Sequence, residues 1–372
     1  MLTQPKVIRA GNWMESDGGG AGFTLVCMTS WKVLNAAAVL AAMLGWSTGG
    51  RGPVANLAAA QEPAAAGSPS GARLAASGAK QQLAILDTDI GDDIDDAFAL
   101  ALVLKSPEIK LLGITTEYGD TELRARLVDR YLAAVGRRDI PVAAGKATPH
   151  TNVFTQSAYA EREPDRKHAD GVQFLLDQIR AHPGQVTLIA IGPLVNVGAA
   201  IERDPATFRK LKRVVMMGGS VYRGYDHDGQ TKSKPDAEWN ITRDPAGAKA
   251  LLASGVPVFM MPLDSTQIHL EAQEQGRIFA FGSPLTDQLT LLYHQWAALN
   301  EWHGQAPTLF DPVAATYAVR PDLCPAQPMR LEVDAEGFTR PVAGAPNVQV
   351  CLKSDEKGFL EFLLERIAPR GR

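Results

Sequence analysis

Beyond residue 81 the chain alternates between short apolar runs and longer amphipathic or Ala-rich stretches. The runs are "LAILDTD", "IKLLGITT", "IPVAAG", "VTLIAIG", "RVVMMGG", "VPVFMMPLD" and, late in the chain, "VQVCL". Most are apolar at successive positions, so strands built from them need cover on both faces, a condition met by a parallel sheet between two layers of helices. Helices are expected over 95–105, 121–135, 172–181, 196–203 and 245–253. This alternation predicts a single-domain α/β fold, an open, mostly parallel, Rossmann-like sheet with helices on both faces. In such sheets ligands bind beyond the carboxyl ends of the strands.

The segment before residue 82 reads differently. Lys32 precedes an apolar stretch from Val33 to Trp46, interrupted only by Asn35 and Gly45, that is too short to span a bilayer comfortably but suits a signal-peptide core. Residues 1–60 are therefore expected to be a leader, with an Ala-x-Ala cleavage site at Ala58 to Ala60 and Met28 as an alternative start. Residues 61–81, rich in Ala, Gly, Ser and Pro, are expected to be a disordered linker. A functional leader implies a periplasmic or extracellular protein, and a silent one a cytoplasmic protein. Cys324 and Cys351 remain after leader removal and are expected to be buried free thiols, with a bridge open to them only under export. The formal charge of −4 carries no Lys/Arg block, which argues against nucleic acid and, in the mature form, a membrane as partners.

The first run leads into "DTDIGDDIDDAFAL", six carboxylates within ten residues, with no Lys or Arg between Lys80 and Lys105. Asp87 and Asp89 are two apart at a strand end, so their side chains leave on one side. Asp95 and Asp96 open a helix whose N-terminus favours negative charge, and Asp92 or Asp93 is expected to cap it. Caps and the helix dipole contribute about 1 kcal/mol each, little against several converging carboxylates. A hard cation is the simpler remedy. All-oxygen ligands without His or Cys point to Ca²⁺ or Mg²⁺. An EF-hand does not fit, because Gly91 falls at loop position five and Phe98 at position twelve. The remaining ligands must come from other strand ends.

Those ends carry polar groups, Asp120 in "GITTEYGD", Glu238 and Asn240 flanking Trp239 in "AEWN", Asp264 in "PLDST" and Asp311 in "FDP", and "IGPLVN" puts Ile191-Gly192-Pro193 after another strand. Taken singly, several are ordinary helix starts, such as Asp311-Pro312 and Asp244-Pro245.

Taken in order, these motifs resemble the calcium-dependent nucleoside hydrolases, the inosine/uridine-preferring N-ribohydrolases. "DTDIGDDIDDAFAL" looks like the family's Asp-Thr-Asp-Pro-Gly and Asp-Asp-Ala-x-Ala fingerprint lengthened by two residues. "KHADG" is similar to its His-Gly-x-Asp-Gly, "IGPLVN" to Thr-Gly-Pro-Leu-Thr-Asn, "AEWN" to Ala-Glu-Phe-Asn, and "FDP" to His-Asp-Pro. The resemblance implies that residues 82–372 form a catalytic domain hydrolysing the N-glycosidic bond of a ribonucleoside or related riboside through an oxocarbenium-like transition state. It implies Ca²⁺ held by Asp89, Asp96, Asp311 and the Ile191 carbonyl, with Asp89 as general base and Asp95 serving catalysis and the ribose diol. Substrate contacts are also implied for Asp120, His168, Glu238, Trp239 and Asn240. A homo-oligomer, dimer or tetramer, is a further expectation.

The departures fall on the base-binding half. Phe310 stands where the family has His, Asp120 where it has Asn, and Lys232 where it has a second Asn. With Phe310 unable to donate a proton, His294, His303 and His227 are candidate leaving-group acids. Two rivals remain: a secreted calcium-dependent riboside- or sugar-binding protein without turnover, and a haloacid-dehalogenase-like phosphotransferase, whose Gly-Thr after the second Asp is missing here.

Overall fold

Strand β1 (Gln82–Thr88) sends alternate side chains to opposite sides of a sheet, Ala84 and Leu86 into one core layer and Ile85 into the other. That is why the run is apolar at every position. The computed structural model describes residues 81–371 apart from 150–151, 227–230, 233 and 300–305. The expected leader, and all of the expected linker except Gln81, lie outside the described residues, as do His227 and His303.

The other strands are β2 (Ile109–Thr116), β3 (Val142–Ala144), β4 (Ala169–Asp170), β5 (Val186–Ala190), β6 (Arg213–Met217), β7 (Val258–Met261), β8 (Ala326–Met329), β9 (Leu331–Val333), β10 (Thr339–Pro341) and β11 (Val348–Cys351). Nine of them form one sheet in the order β4-β3-β2-β1-β5-β6-β7-β11-β8, and β9 pairs with β10 in a separate hairpin. Every pairing in the large sheet is parallel except that of β8 with β11. The open, mostly parallel α/β architecture expected from the apolar runs is the one found.

Helices Asp95–Leu104, Thr121–Ala134, Pro284–Leu299, Phe310–Tyr317 and Glu356–Ile367 contribute to the core layer that holds Leu86, Ile189, Val215 and Met217. Helices Gly171–Ala181, Val195–Arg203 and Pro245–Ala253 contribute to the opposite layer, with Ile85, Leu188, Val214 and Met216. Full burial of each such side chain is worth about 1.5–3 kcal/mol. Asp244 caps the Pro245–Ala253 helix by accepting from Gly247 N at 3.0 Å, as its Asp-Pro start suggests. Among the described residues no helix is long and apolar enough to cross a membrane.

The strand order reverses at β1, which lies between β2 and β5. An open α/β sheet forms its ligand crevice at such a switch point, beyond the carboxyl ends. Asp89 leaves β1 and Ile191 leaves β5 at that place.

The expectation of free thiols is corrected, because Cys324 and Cys351 are joined in a disulfide. Cys351 ends β11 opposite Ala326, the first residue of antiparallel β8, and Cys324 lies two residues earlier. This brings the two Cα atoms to 5.6 Å, within bridging range.

Candidate active site

Asp95, Asp96 and Asp311 offer carboxylate oxygens that all lie within 4.8 Å of one another, and all three side chains are buried. The first two open the Asp95–Leu104 helix, and Asp311 lies in the first turn of the Phe310–Tyr317 helix. Asp311 N donates to Asp95 Oδ2 at 3.2 Å. Thr88 Oγ1 donates to Asp96. Burial raises the pKa of all three carboxyls well above the ordinary range, and repulsion adds to it, from Asp93 and Asp89 at Asp95, from Asp89 and Asp95 at Asp96, and from Asp95, Asp96, Asp89 and Asp93 at Asp311.

Asp89 follows β1 and faces this trio without joining it. Burial pushes its carboxyl up to about 7, with Arg124 opposing the shift and Asp92 and Glu238 adding to it. Arg124, on the Thr121–Ala134 helix, is fully buried beneath the loop. Its guanidinium donates to the carbonyls of Asp89, Ile90 (2.9 Å) and Tyr118 (2.8 Å) and pairs with Asp92 at 3.0 Å. Tyr118 holds φ 60°, a left-handed conformation that few non-glycine residues adopt. Gly91 is required where it stands, since at φ 132° a Cβ would fall 2.0 Å from the Phe154 ring. A cap from Asp92 or Asp93 is corrected, because the N-cap is Ile94 with no side-chain cap. Asp92 pairs with Arg124, and Asp93 Oδ1 accepts from Ile94 N at 2.6 Å.

Asp87 supports the strand end from behind. Its Oδ1 accepts from Thr115 Oγ1 at 2.6 Å and Asn196 Nδ2 at 2.7 Å. Asn196 N donates to Glu117 Oε2 at 3.1 Å, and Ile191 N to the Asp87 carbonyl at 2.9 Å. Asp87 Oδ2 and Glu117 Oε1 are buried without a hydrogen-bond partner among the described residues. Burial pushes Asp87 up to about 6 and raises Glu117 well above its ordinary value, with the Asp87 charge adding to the latter. Gly192 passes so close that a Cβ there would lie 2.7 Å from Asp89 Oδ1 and 3.0 Å from Glu117 Oε1.

Glu238 is the N-cap of the Trp239–Arg243 helix, and its carboxylate accepts from Gly219 N (2.9 Å), Asn240 N (2.9 Å) and Ile241 N (3.1 Å). A carboxylate has about four acceptor sites, so one stays available. Burial raises Glu238 to about 7 against those three donors. Asn240 Nδ2 donates to the Ile191 and Met217 carbonyls at 3.3 Å each, joining the ends of β5 and β6. Trp239 is half-buried, with Arg243 stacked 3.6 Å from its ring and Tyr118 edge-on at 6.3 Å.

The other candidates have different partners. Asp120 is exposed and caps the Thr121–Ala134 helix through Leu123 N at 3.0 Å. His168 is buried between two carboxylates of that helix, with Nδ1 2.6 Å from Glu122 Oε2 and Nε2 2.8 Å from Asp129 Oδ2. His294 is exposed on the Pro284–Leu299 helix beside Tyr293 and Phe279. Trp296 of the same helix is buried and its side chain lowers the Asp93 carboxyl pKa, and a residue two positions away on a helix points to nearly the opposite side. That removes His294 from the acidic face. Asp264 accepts from Val221 N and Tyr222 N at 2.8 Å each and so fixes the loop after β6.

The sequence reading missed Arg124, Glu117, Asn196 and Tyr225. Glu117 had a signal, a charge interrupting the end of an apolar strand. Arg124 had none in "TELRARLVDR", which reads as an ordinary solvated helix.

The donor set fits a hard cation. It is all oxygen, buried, and among the described residues no cationic side chain forms an ion pair with Asp95, Asp96 or Asp311. Three converging buried carboxylates could therefore hold a metal ion.

A family model described as inosine-uridine preferring nucleoside hydrolase matches residues 84–361. The pyrimidine-specific ribonucleoside hydrolase RihA of Citrobacter koseri is 31% identical over 314 residues, covering 76% of this chain and 97% of that protein. Among solved structures, a plant nucleoside hydrolase superposes with TM-score 0.68 at 25% identity, covering 78% of this chain and 99% of its own. A purine-preferring ribonucleoside hydrolase from Gardnerella vaginalis superposes with TM-score 0.67 at 25% identity, covering 77% and 98%.

Proposed function

The chain belongs to the inosine-uridine preferring nucleoside hydrolase family, and from that premise we propose that it cleaves ribonucleosides to ribose and free base with Ca²⁺ as its cofactor. The observation that carries this reading is the gathering of Asp89, Asp95, Asp96, Asp311, Glu238 and Asn240 around the carboxyl ends of β1, β5 and β6. Asp89, Asp96, Asp311 and the Ile191 carbonyl would hold the cation. When bound, Ca²⁺ supplies positive charge that offsets the carboxylates and Lewis-acid stabilisation for oxygens that meet it.

This chain's own groups do the rest. Asp95, Glu238 through its remaining acceptor site, and Asn240 take the ribose hydroxyls, and Trp239 offers an aromatic face to the base. Asp89 takes a proton from the water that attacks C1′. The acidic surroundings favour the positive charge that develops on the ribosyl ring as the bond to the base stretches.

The Cys324–Cys351 disulfide supports an exported protein, since such bridges persist in oxidising compartments. Sequencing the amino terminus of the mature protein tests export. Assay of free ribose against a panel of purine and pyrimidine ribonucleosides tests the activity. Release from at least one is expected, and binding across the panel without release would favour the riboside-binding reading. The same panel reports base preference, on which RihA and the Gardnerella enzyme differ by name.

A further inference from the structure

Phe310 leaves the base-binding half without the imidazole that the family resemblance assigns to that position, yet a proton donor faces it. The Tyr225 ring meets Phe310 edge-on, with centroids 6.2 Å apart and planes at 81°. Tyr225 Oη accepts the backbone N–H of Trp239 at 2.9 Å. The phenol oxygen is thus engaged as an acceptor by the residue next to Glu238, while its own hydrogen has no acceptor among the described residues. A partly buried phenol usually finds one.

The loop that carries Tyr225 is held from several sides. Tyr225 N donates to Asp236 Oδ2 at 3.0 Å, Asp226 N to Gln267 Oε1 at 2.6 Å, and Gln267 Nε2 to the Gly224 carbonyl at 3.0 Å. Burial, with the charges of Glu238, Asp236 and Asp95, holds the phenol pKa well above its ordinary value, so the hydrogen stays on the oxygen.

We propose that Tyr225 is the proton donor to the departing base, an inference that rests on the hydrolase reading given above. As the C1′–N bond breaks, its electron pair goes to the base and the Tyr225 O–H proton passes to that base. The water oxygen bonds to C1′ and its proton goes to Asp89. Ribose and neutral base leave, and the proton on Asp89 returns to the Tyr225 phenolate through solvent. Nucleoside and water are the only reactants.

The test compares the full-length wild-type protein with Tyr225→Phe on inosine, uridine and para-nitrophenyl riboside, whose phenolate departs without a proton. The proposal expects a fall in kcat of about 100-fold or more on the nucleosides, with KM within about threefold, and near wild-type cleavage of the nitrophenyl riboside. Adding Phe310→His to Tyr225→Phe is expected to restore part of the nucleoside rate. Equal losses on all three substrates would mark Tyr225 as merely structural and overturn the proposal, as would no loss on the nucleosides. A wild-type protein that releases ribose from none of the three would defeat the hydrolase reading itself, and this inference with it.

Discussion

Asp311 N donates to Asp95 Oδ2 at 3.2 Å, joining carboxylate-bearing residues 216 positions apart at the mouth of the sheet. Opposite the start of one helix, the chain places the start of another and gives each an acidic residue. Without a cation this arrangement costs stability, and with one it becomes a cage. Asp311→Asn should therefore abolish calcium binding in calorimetry. In chelator the same change should raise the melting midpoint, by about 2–4 °C for each kcal/mol of repulsion relieved. Undiminished calcium affinity would remove Asp311 from the cage.

The pH dependence of the chelated protein has a definite sign. Asp89 and Glu238 ionise from 3.8 and 4.5 as free groups and at about 7 in the fold. Between those values the native state binds more protons than the unfolded chain, so their contribution to stability is fully present below about pH 4 and is lost as pH rises through about 7. The melting midpoint in chelator should fall across that window, and saturating calcium should flatten the fall. A midpoint in chelator that rises through the same window would contradict the burial of these carboxylates.

Arg124 places four interactions under the loop with no exposed side-chain surface. Arg124→Met should destabilise by about 3–5 kcal/mol in urea titration, since it removes a fully buried guanidinium from three carbonyls and from the largely buried Asp92 carboxylate. Arg124→Lys should recover little, because one ammonium cannot reproduce the guanidinium fork. A loss below about 1 kcal/mol would mean that the loop is held by other contacts.

The disulfide closes a separation of 27 residues far along the chain from the acidic loop. By chain entropy, replacing Cys324 and Cys351 together by Ser should cost about 3–4 kcal/mol. Turnover at moderate temperature should be unchanged. An unaltered melting midpoint would show that the bridge contributes nothing.

Much of this architecture was legible before any coordinates. Residues Ile109–Thr116 form β2 over the expected run, and the 245–253 helix begins and ends where its Asp-Pro start and Ala-rich interior suggest. Both follow from local rules of burial and capping. Strands β8, β9 and β10 were not legible, because they are short, partly exposed and interrupted by Pro328 and Pro341. Their pairing is decided by neighbours distant in sequence. The acidic loop was legible because charge that dense has few structural uses. The placing of Asp95 within 4.8 Å of the Asp96 and Asp311 oxygens was not legible, because a convergence of a few ångströms between distant segments is not carried by sequence spacing. The bridge escaped because two cysteines 27 apart have no spacing signature.

The central claim is that the acidic crevice hydrolyses ribonucleosides when it holds its cation. The most direct measurement is ribose release in phosphate-free buffer, by protein stripped with chelator and then reloaded with calcium, alongside Asp89→Asn treated in the same way. The account predicts no release from the stripped protein, recovery on reloading, and no recovery in the variant. Ribose release that persists in chelator, or that Asp89→Asn recovers in full, would contradict it.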